Sequence, residues 1–198
     1  FDLTYENTIY ESDGVEAYCR YQIEHEEDIL RPGPGFPLIK ALLNLNNLPE
    51  QEGRVEVIIM SRNSPDSSLR VFKAIEHYGL NITRAVLASG ASLAPYLSAF
   101  KTDLFLSAYE DDVQSAIDSN IAAGIICTDG LHTYDCDHQI RQIRVAFDGD
   151  AVLFSDESEQ IYQEYGLEAF EENERRNANN PLKAGPFAKF LRTLSELQ

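Results

Sequence analysis

Positive charge is what this sequence has least of. Its 198 residues carry 16 Lys and Arg against 33 Asp and Glu, a formal net charge of −17 at pH 7. A surface this acidic repels nucleic-acid backbones and anionic lipid, so neither a nucleic-acid polymer nor a membrane is expected as a partner. A small phosphate ligand is still allowed, because one divalent cation reverses the field locally. Long apolar runs are missing too: none approaches the roughly 20 residues that span a bilayer, and the acidic opening FDLTYENTIYESDG is no signal peptide. Cysteine is scarce and odd in number (Cys19, Cys127, Cys136), which excludes a disulfide framework and points to a reducing, cytoplasmic setting. The remainder, 43% hydrophobic, is ordinary globular composition with enough apolar matter for a core.

What is present is an internal repeat. TIYESDGVEAYCRYQ from Thr8 runs beside QIYQEYGLEAFEENE from Gln160, with Tyr10 on Tyr162, Gly14 on Gly166, Glu16 on Glu168, Ala17 on Ala169 and Tyr18 on Phe170. The same offset, 152 positions, sets LRPGP at Leu30 on LKAGP at Leu182, and an apolar helix pattern follows each. Units of about 150 residues are ordinary domains, and two of them need a chain of roughly 300. The expectation is a first unit over 1–140, with part of a helical cap at 1–35 and a core at 54–128. The start of a second unit follows over 141–198, with its cap at 156–182. On this reading the remainder of the second unit is absent and the chain is part of a longer protein.

Between the repeated segments, strands at 55–60, 85–88, 103–107 and 122–127 alternate with helices at 69–78, 93–100 and 111–119. The first of these helices should show one apolar face of Leu69, Phe72, Ile75 and Tyr78 and stop at Gly79. Alternation on short connections predicts an α/β fold, a Rossmann-like parallel sheet with helices on both faces. Helices at 16–27 and 168–178 are charged on one side and fit a cap set apart from that sheet. The polar stretch 128–142 reads as the linker between units.

The chemistry concentrates after 141–147, an apolar strand pattern running into Asp148-Gly-Asp-Ala-Val-Leu-Phe154. Parallel strands present ligands at their carboxyl ends. The first carboxylate there can attack phosphorus while sharing a hard, oxygen-seeking Mg²⁺ with the phosphate. The second can protonate the leaving alkoxide and then deprotonate water. Gly149 would let backbone amides approach the phosphoryl oxygens. An Asp-x-Asp pair alone also occurs in turns, calcium loops and glycosyltransferase metal sites.

FDGDAVLFSDESE resembles the first motif of haloacid-dehalogenase-type phosphatases, specifically the cytosolic 5′-nucleotidase family of type I. The resemblance extends through EAYCRYQIEHE, PGPGFPLIKAL, VIIMSRNSPDSSLRVFKAIEHYGL, LFLSA and NPLKAGPFAKFL. It implies a haloacid-dehalogenase-like fold with a small helical cap. It also implies Mg²⁺-dependent hydrolysis of a nucleoside 5′-monophosphate, of the AMP or IMP type, through an aspartyl-phosphate. Asp148 would be nucleophile and metal ligand. Asp150 would be acid/base and reach the metal through its backbone carbonyl. Phe154 and Asp156, which open the cap, could face the substrate beyond its phosphate; Asp156 or Ser158 could equally cap the next helix.

The family pattern also needs a Thr or Ser, a Lys and an acidic pair. In the first unit Ser61 suits the first of these, but Leu93 and Ser107-Ala108 occupy the other positions. Lys101 and Asp111-Asp112 lie at the wrong offsets to replace them. The first unit therefore reads as a degenerate copy. Two further readings stay open: a phosphatase for other small phosphomonoesters, and a non-catalytic nucleotide-sensing module. A homo-oligomer is possible. Cys127, His132, Cys136 and His138 match no common zinc spacing and read as an exposed loop, while His25 and His77 read as structural or solvent-facing.

Overall fold

The computed structural model of the chain describes residues 1–127 and 143–197. The linker at 128–142, and with it His132, Cys136 and His138, lies outside them; Cys127 is exposed. In chain order the elements are α1 (Thr4–Glu24), α2 (Phe36–Asn44), β1 (Ile58–Ser61), α3 (Leu69–His77), β2 (Arg84–Leu87) and α4 (Ala94–Ala99). There follow β3 (Leu104–Ser107), α5 (Glu110–Asp118), β4 (Ala122–Ile125), α6 (Glu157–Tyr165), α7 (Leu167–Asn177) and α8 (Ala188–Ser195). By packing, the chain falls into two compact units, Phe1–Tyr96 with Ile126–Ile143 and Leu97–Ile125 with Arg144–Gln198.

In the first unit β1 and β2 pair in parallel, from Ile58 opposite Arg84 to Ser61 opposite Leu87, with α3 as the crossover. α3 stops where expected, at Gly79 (φ +61°), and Leu80 N–H caps it by donating to the Ile75 carbonyl at 3.0 Å. Its inward face differs from the expected one. Leu69 and Phe72 are exposed, while Arg70, Ala74 and Ile75 are buried.

The reason is a polar hub. Arg70, 6% exposed, donates from Nη1 to Glu6 Oε1 (2.7 Å) and Gln22 Oε1 (3.0 Å), and from Nε to the Asp28 carbonyl (3.1 Å). A buried guanidinium is tolerable only when its donors are met, so helix rotation follows the cation rather than the apolar stripe.

In the second unit β3 and β4 pair in parallel, from Leu104 opposite Ala122 to Ser107 opposite Ile125, with α5 between them burying Val113 and Ala116. The α/β class therefore stands. The continuous parallel sheet of the sequence reading is not what the described residues form: they hold two separate two-stranded sheets. The expected strand at 141–147 also needs correcting. Its described part, 143–147, forms no strand. β-branched residues favour a strand only where a neighbouring edge supplies hydrogen-bond partners and a surface to cover, and Val145 is instead exposed.

The repeat noticed in the sequence recurs in backbone geometry. α1 breaks at Gly14 (φ 83°, ψ −178°), and α6 gives way to α7 at Gly166 (φ 82°, ψ −176°). That region is essentially closed to residues with a Cβ. Across each break an aromatic pair meets edge to face, Tyr10 with Tyr18 at 6.1 Å and Tyr162 with Phe170 at 6.2 Å. Phe36 N–H donates to the Gly33 carbonyl at 3.0 Å, and Ala188 N–H to that of Gly185 at 3.2 Å. Asp2 N–H donates to the Arg31 carbonyl, as Ser155 N–H does to that of Lys183, both at 2.9 Å. The first members of this last pair are 153 positions apart, so the second copy is one residue shorter before its helix, and Phe1 corresponds to Phe154.

Removing one partner of the buried pair leaves the other charge desolvated. Arg70→Ala is expected to destabilise the first unit by about 3–5 kcal/mol, measured by urea denaturation; a loss under about 1 kcal/mol would show that the hub is solvated.

Candidate functional site

The segment Asp148–Phe154 is an irregular loop, wound once over Gly149–Leu153 and closed by a hydrogen bond from Phe154 N–H to the Gly149 carbonyl at 3.0 Å. Asp148 has extended backbone (φ −70°, ψ 157°), and its Oδ1 accepts from Gly149 N–H at 2.7 Å. Asp150 is also extended, and Ala151 takes a left-handed conformation (φ 59°) that turns the chain back. Both carboxylates are exposed. Gly149 has a negative φ, and an added Cβ would meet only Phe154 ring atoms, at 3.8 and 3.9 Å. The protein's own packing thus does not require glycine there.

The loop is held by the backbone of residues 183–187. Gly185 N–H donates to the Leu153 carbonyl (2.8 Å), Phe187 N–H to that of Val152 (3.0 Å), and Ser155 N–H to that of Lys183 (2.9 Å). Phe154 and Ala184 thereby form an isolated antiparallel bridge. Behind the loop Phe147, Phe187 and Phe190 make a ring cluster with centroids 6.0–6.4 Å apart. The sequence reading did not single out Lys183 or Gly185 as parts of the site. Their signal was the repeat itself, since a Cβ added at Gly33 would lie 2.6 Å from the Phe1 carbonyl oxygen and one added at Gly185 would run into the Phe154 and Val152 carbonyls.

The flanking candidates are placed as follows. Phe154 is 42% exposed. Asp156 stands at the first turn of α6 but makes no capping bond; its Oδ2 accepts from Gln160 Nε2 at 2.8 Å. Ser158 is buried and donates to Glu174 Oε1 at 2.6 Å. Ser155 Oγ is buried without a hydrogen-bond partner among the described residues. Lys183 pairs with Glu157, and that carboxylate raises the lysine's pKa. In the first unit Ser61 Oγ accepts from Asn63 N–H at 3.1 Å, and Leu93 is buried. In the second, Ser107 Oγ accepts from Tyr109 N–H at 3.1 Å, Lys101 is exposed, and Asp111 and Asp112 lie in the first turn of α5.

As a donor set for a hard cation, Asp148 and Asp150 offer carboxylate oxygens open to solvent, which suits Mg²⁺, an ion that keeps several waters and takes one or two carboxylates. No group of three or more His, Cys, Asp or Glu able to hold a metal occurs among the described residues. The two aspartates thus make a partial site. Among the described residues no helix is long and apolar enough to cross a membrane.

Such a loop, with paired aspartates at its mouth, has a family context. The 5′-nucleotidase family model matches residues 1–198, and the chain belongs to that family. Human cytosolic 5′-nucleotidase 1B is 37% identical over 203 residues, covering 100% of this chain and 33% of the relative. The chain therefore spans about a third of the length of that curated relative. No solved structure matches the chain.

A side chain at position 185 would drive into the carbonyls that carry the loop. Gly185→Ala is expected to lower stability by about 1–3 kcal/mol and to loosen the loop, read by thermal melting and amide exchange at Phe154 and Ser155; wild-type protection of both amides would contradict the clamp.

Proposed function

We propose that the chain carries the nucleophile motif of a Mg²⁺-dependent 5′-nucleotidase that hydrolyses nucleoside 5′-monophosphates of the AMP or IMP type in the cytoplasm. The observation that supports this most is the pair Asp148 and Asp150, solvent-facing on a clamped loop in a chain that belongs to the 5′-nucleotidase family over its whole length. Asp148 Oδ attacks phosphorus, and the bond from phosphorus to the 5′ oxygen breaks while Asp150 donates its proton to that oxygen. Asp150 then takes a proton from water, the water oxygen bonds to phosphorus, and the bond to Asp148 breaks, releasing phosphate. Mg²⁺, held by the Asp148 carboxylate and the Asp150 carbonyl, would supply charge neutralisation that lets a carboxylate approach a phosphate. Gly149 keeps the approach to the amides open. Phe154 and Asp156 would meet the nucleoside beyond its phosphate.

In this reading the haloacid-dehalogenase-like fold is duplicated. Residues 1–140 descend from one copy, and 141–198 open the next. That boundary concerns ancestry and differs from the packing division of the folded chain. The alternative reading is a nucleotide-sensing module that binds but does not hydrolyse.

A panel of nucleoside monophosphates and sugar phosphates with Mg²⁺ tests substrate and chemistry together. Asp148→Asn should lower kcat by on the order of a thousand-fold or more, and Asp150→Asn by about 10²–10⁴-fold. Chelation of the metal should abolish turnover, and added Mg²⁺ should restore it. Near-normal hydrolysis by Asp148→Asn would exclude the covalent route. Saturable nucleotide binding with no turnover would leave the sensing module.

A further inference from the structure

Three Asp-Gly steps occur in the sequence, at 13–14, 129–130 and 148–149. Such a step holds a latent reaction. The glycine nitrogen can close a succinimide ring on the Cγ of the aspartate before it, and glycine puts no side chain in the way of that approach. Whether the ring closes depends on where the carboxylate points. The step at 129–130 lies outside the described residues, and the other two are held in opposite ways.

Asp13 belongs to α1, and its Oδ2 accepts from Ser12 Oγ at 2.8 Å, so the carboxylate is tied to the residue before it. Asp148 has extended backbone (φ −70°, ψ 157°), and its Oδ1 accepts from Gly149 N–H at 2.7 Å. Its Cγ, the atom bonded to Oδ1, is thereby turned toward the nitrogen it would join. Closure still needs rotation about the Asp148 Cα–C bond. The clamp on 183–187 leaves that rotation free, because its first hydrogen bond is at Val152.

We propose that Asp148-Gly149 is a self-modification site, at which the Asp148 carboxyl closes on the Gly149 nitrogen and reopens in part as isoaspartate. The nitrogen bonds to Cγ, and its proton leaves with the carboxyl hydroxyl as water. A second water then adds to either ring carbonyl. Addition at Cγ breaks the N–Cγ bond and restores aspartate. Addition at the main-chain carbon breaks the bond from that carbon to nitrogen, so the chain now runs through Cβ and Cγ. The free carboxylate is then the former main-chain carbonyl, on a backbone longer by one methylene. On the function proposed above, such a loop has lost its nucleophile, and the step is an off-switch that advances with age. The modification itself does not depend on that function.

The test holds the folded chain in ¹⁸O-water at neutral pH, beside the same chain unfolded in urea, and reads digested peptides by mass spectrometry. Each ring opening leaves one heavy oxygen in the aspartate or isoaspartate formed. In the folded chain the Asp148 peptide is expected to take up label at least as fast as in urea and to separate into aspartyl and isoaspartyl forms. The Asp13 peptide should label about ten-fold more slowly folded than unfolded, since its helix must open first. Gly149→Ala, for which the packing has room, should slow labelling at 148 on the order of ten-fold. Slower labelling at 148 in the folded chain than in urea would overturn the proposal. So would equal folded-state labelling at 13 and 148, or labelling at 148 that Gly149→Ala leaves unchanged. With neither nucleotide nor metal in the assay, the result stands or falls apart from phosphate hydrolysis.

Discussion

A guanidinium withdrawn from water organises the first unit. Arg70 cannot lose its charge, and burial without partners would cost several kcal/mol. It therefore draws in a carboxylate, an amide and a backbone carbonyl from the helix and turn opposite. That requirement sets the rotation of α3, leaves Leu69 and Phe72 at the surface, and fixes where α1 lies against α3. Buried polar hubs of this kind specify an arrangement more than they stabilise it, since any slip leaves a donor unmet.

The second unit solves a different problem, that of holding an irregular loop still. Asp148–Phe154 has only short-range hydrogen bonds of its own, from Gly149 N–H to Asp148 Oδ1 and from Phe154 N–H to the Gly149 carbonyl, and a left-handed alanine. Its order comes from outside, through three backbone hydrogen bonds to 183–187 and a cluster of three phenylalanines. Such a clamp suits catalysis on loops, where function needs both exposure and position. The close approach of the two backbones leaves no room for a Cβ at Gly185. Gly33 makes the matching approach in the first unit, so the two copies share the device.

Much of this was legible beforehand for a physical reason. Repeats survive in sequence where backbone geometry tolerates one residue type: Gly14 and Gly166 share a φ/ψ region closed to others, and the aromatic pairs beside them need rings. Strand and helix alternation between 55 and 125 was readable from local periodicity. The loop's hydrogen-bonded partners were not, because backbone donors and acceptors leave no trace in residue identity. Nor was the failure of 143–147 to join a sheet, for a strand exists only in company.

The sequence by itself determined the aspartate pair, the duplicated pattern, the acidic surface and the residues able to form each helix, all of which rest on side-chain chemistry or local spacing. Only the tertiary structure decided which face α3 turns inward, that the strands join as two separate pairs, and that the aspartates sit on a loop held from behind. Those outcomes depend on groups far apart in the chain competing for the same few partners, and no local pattern records who wins.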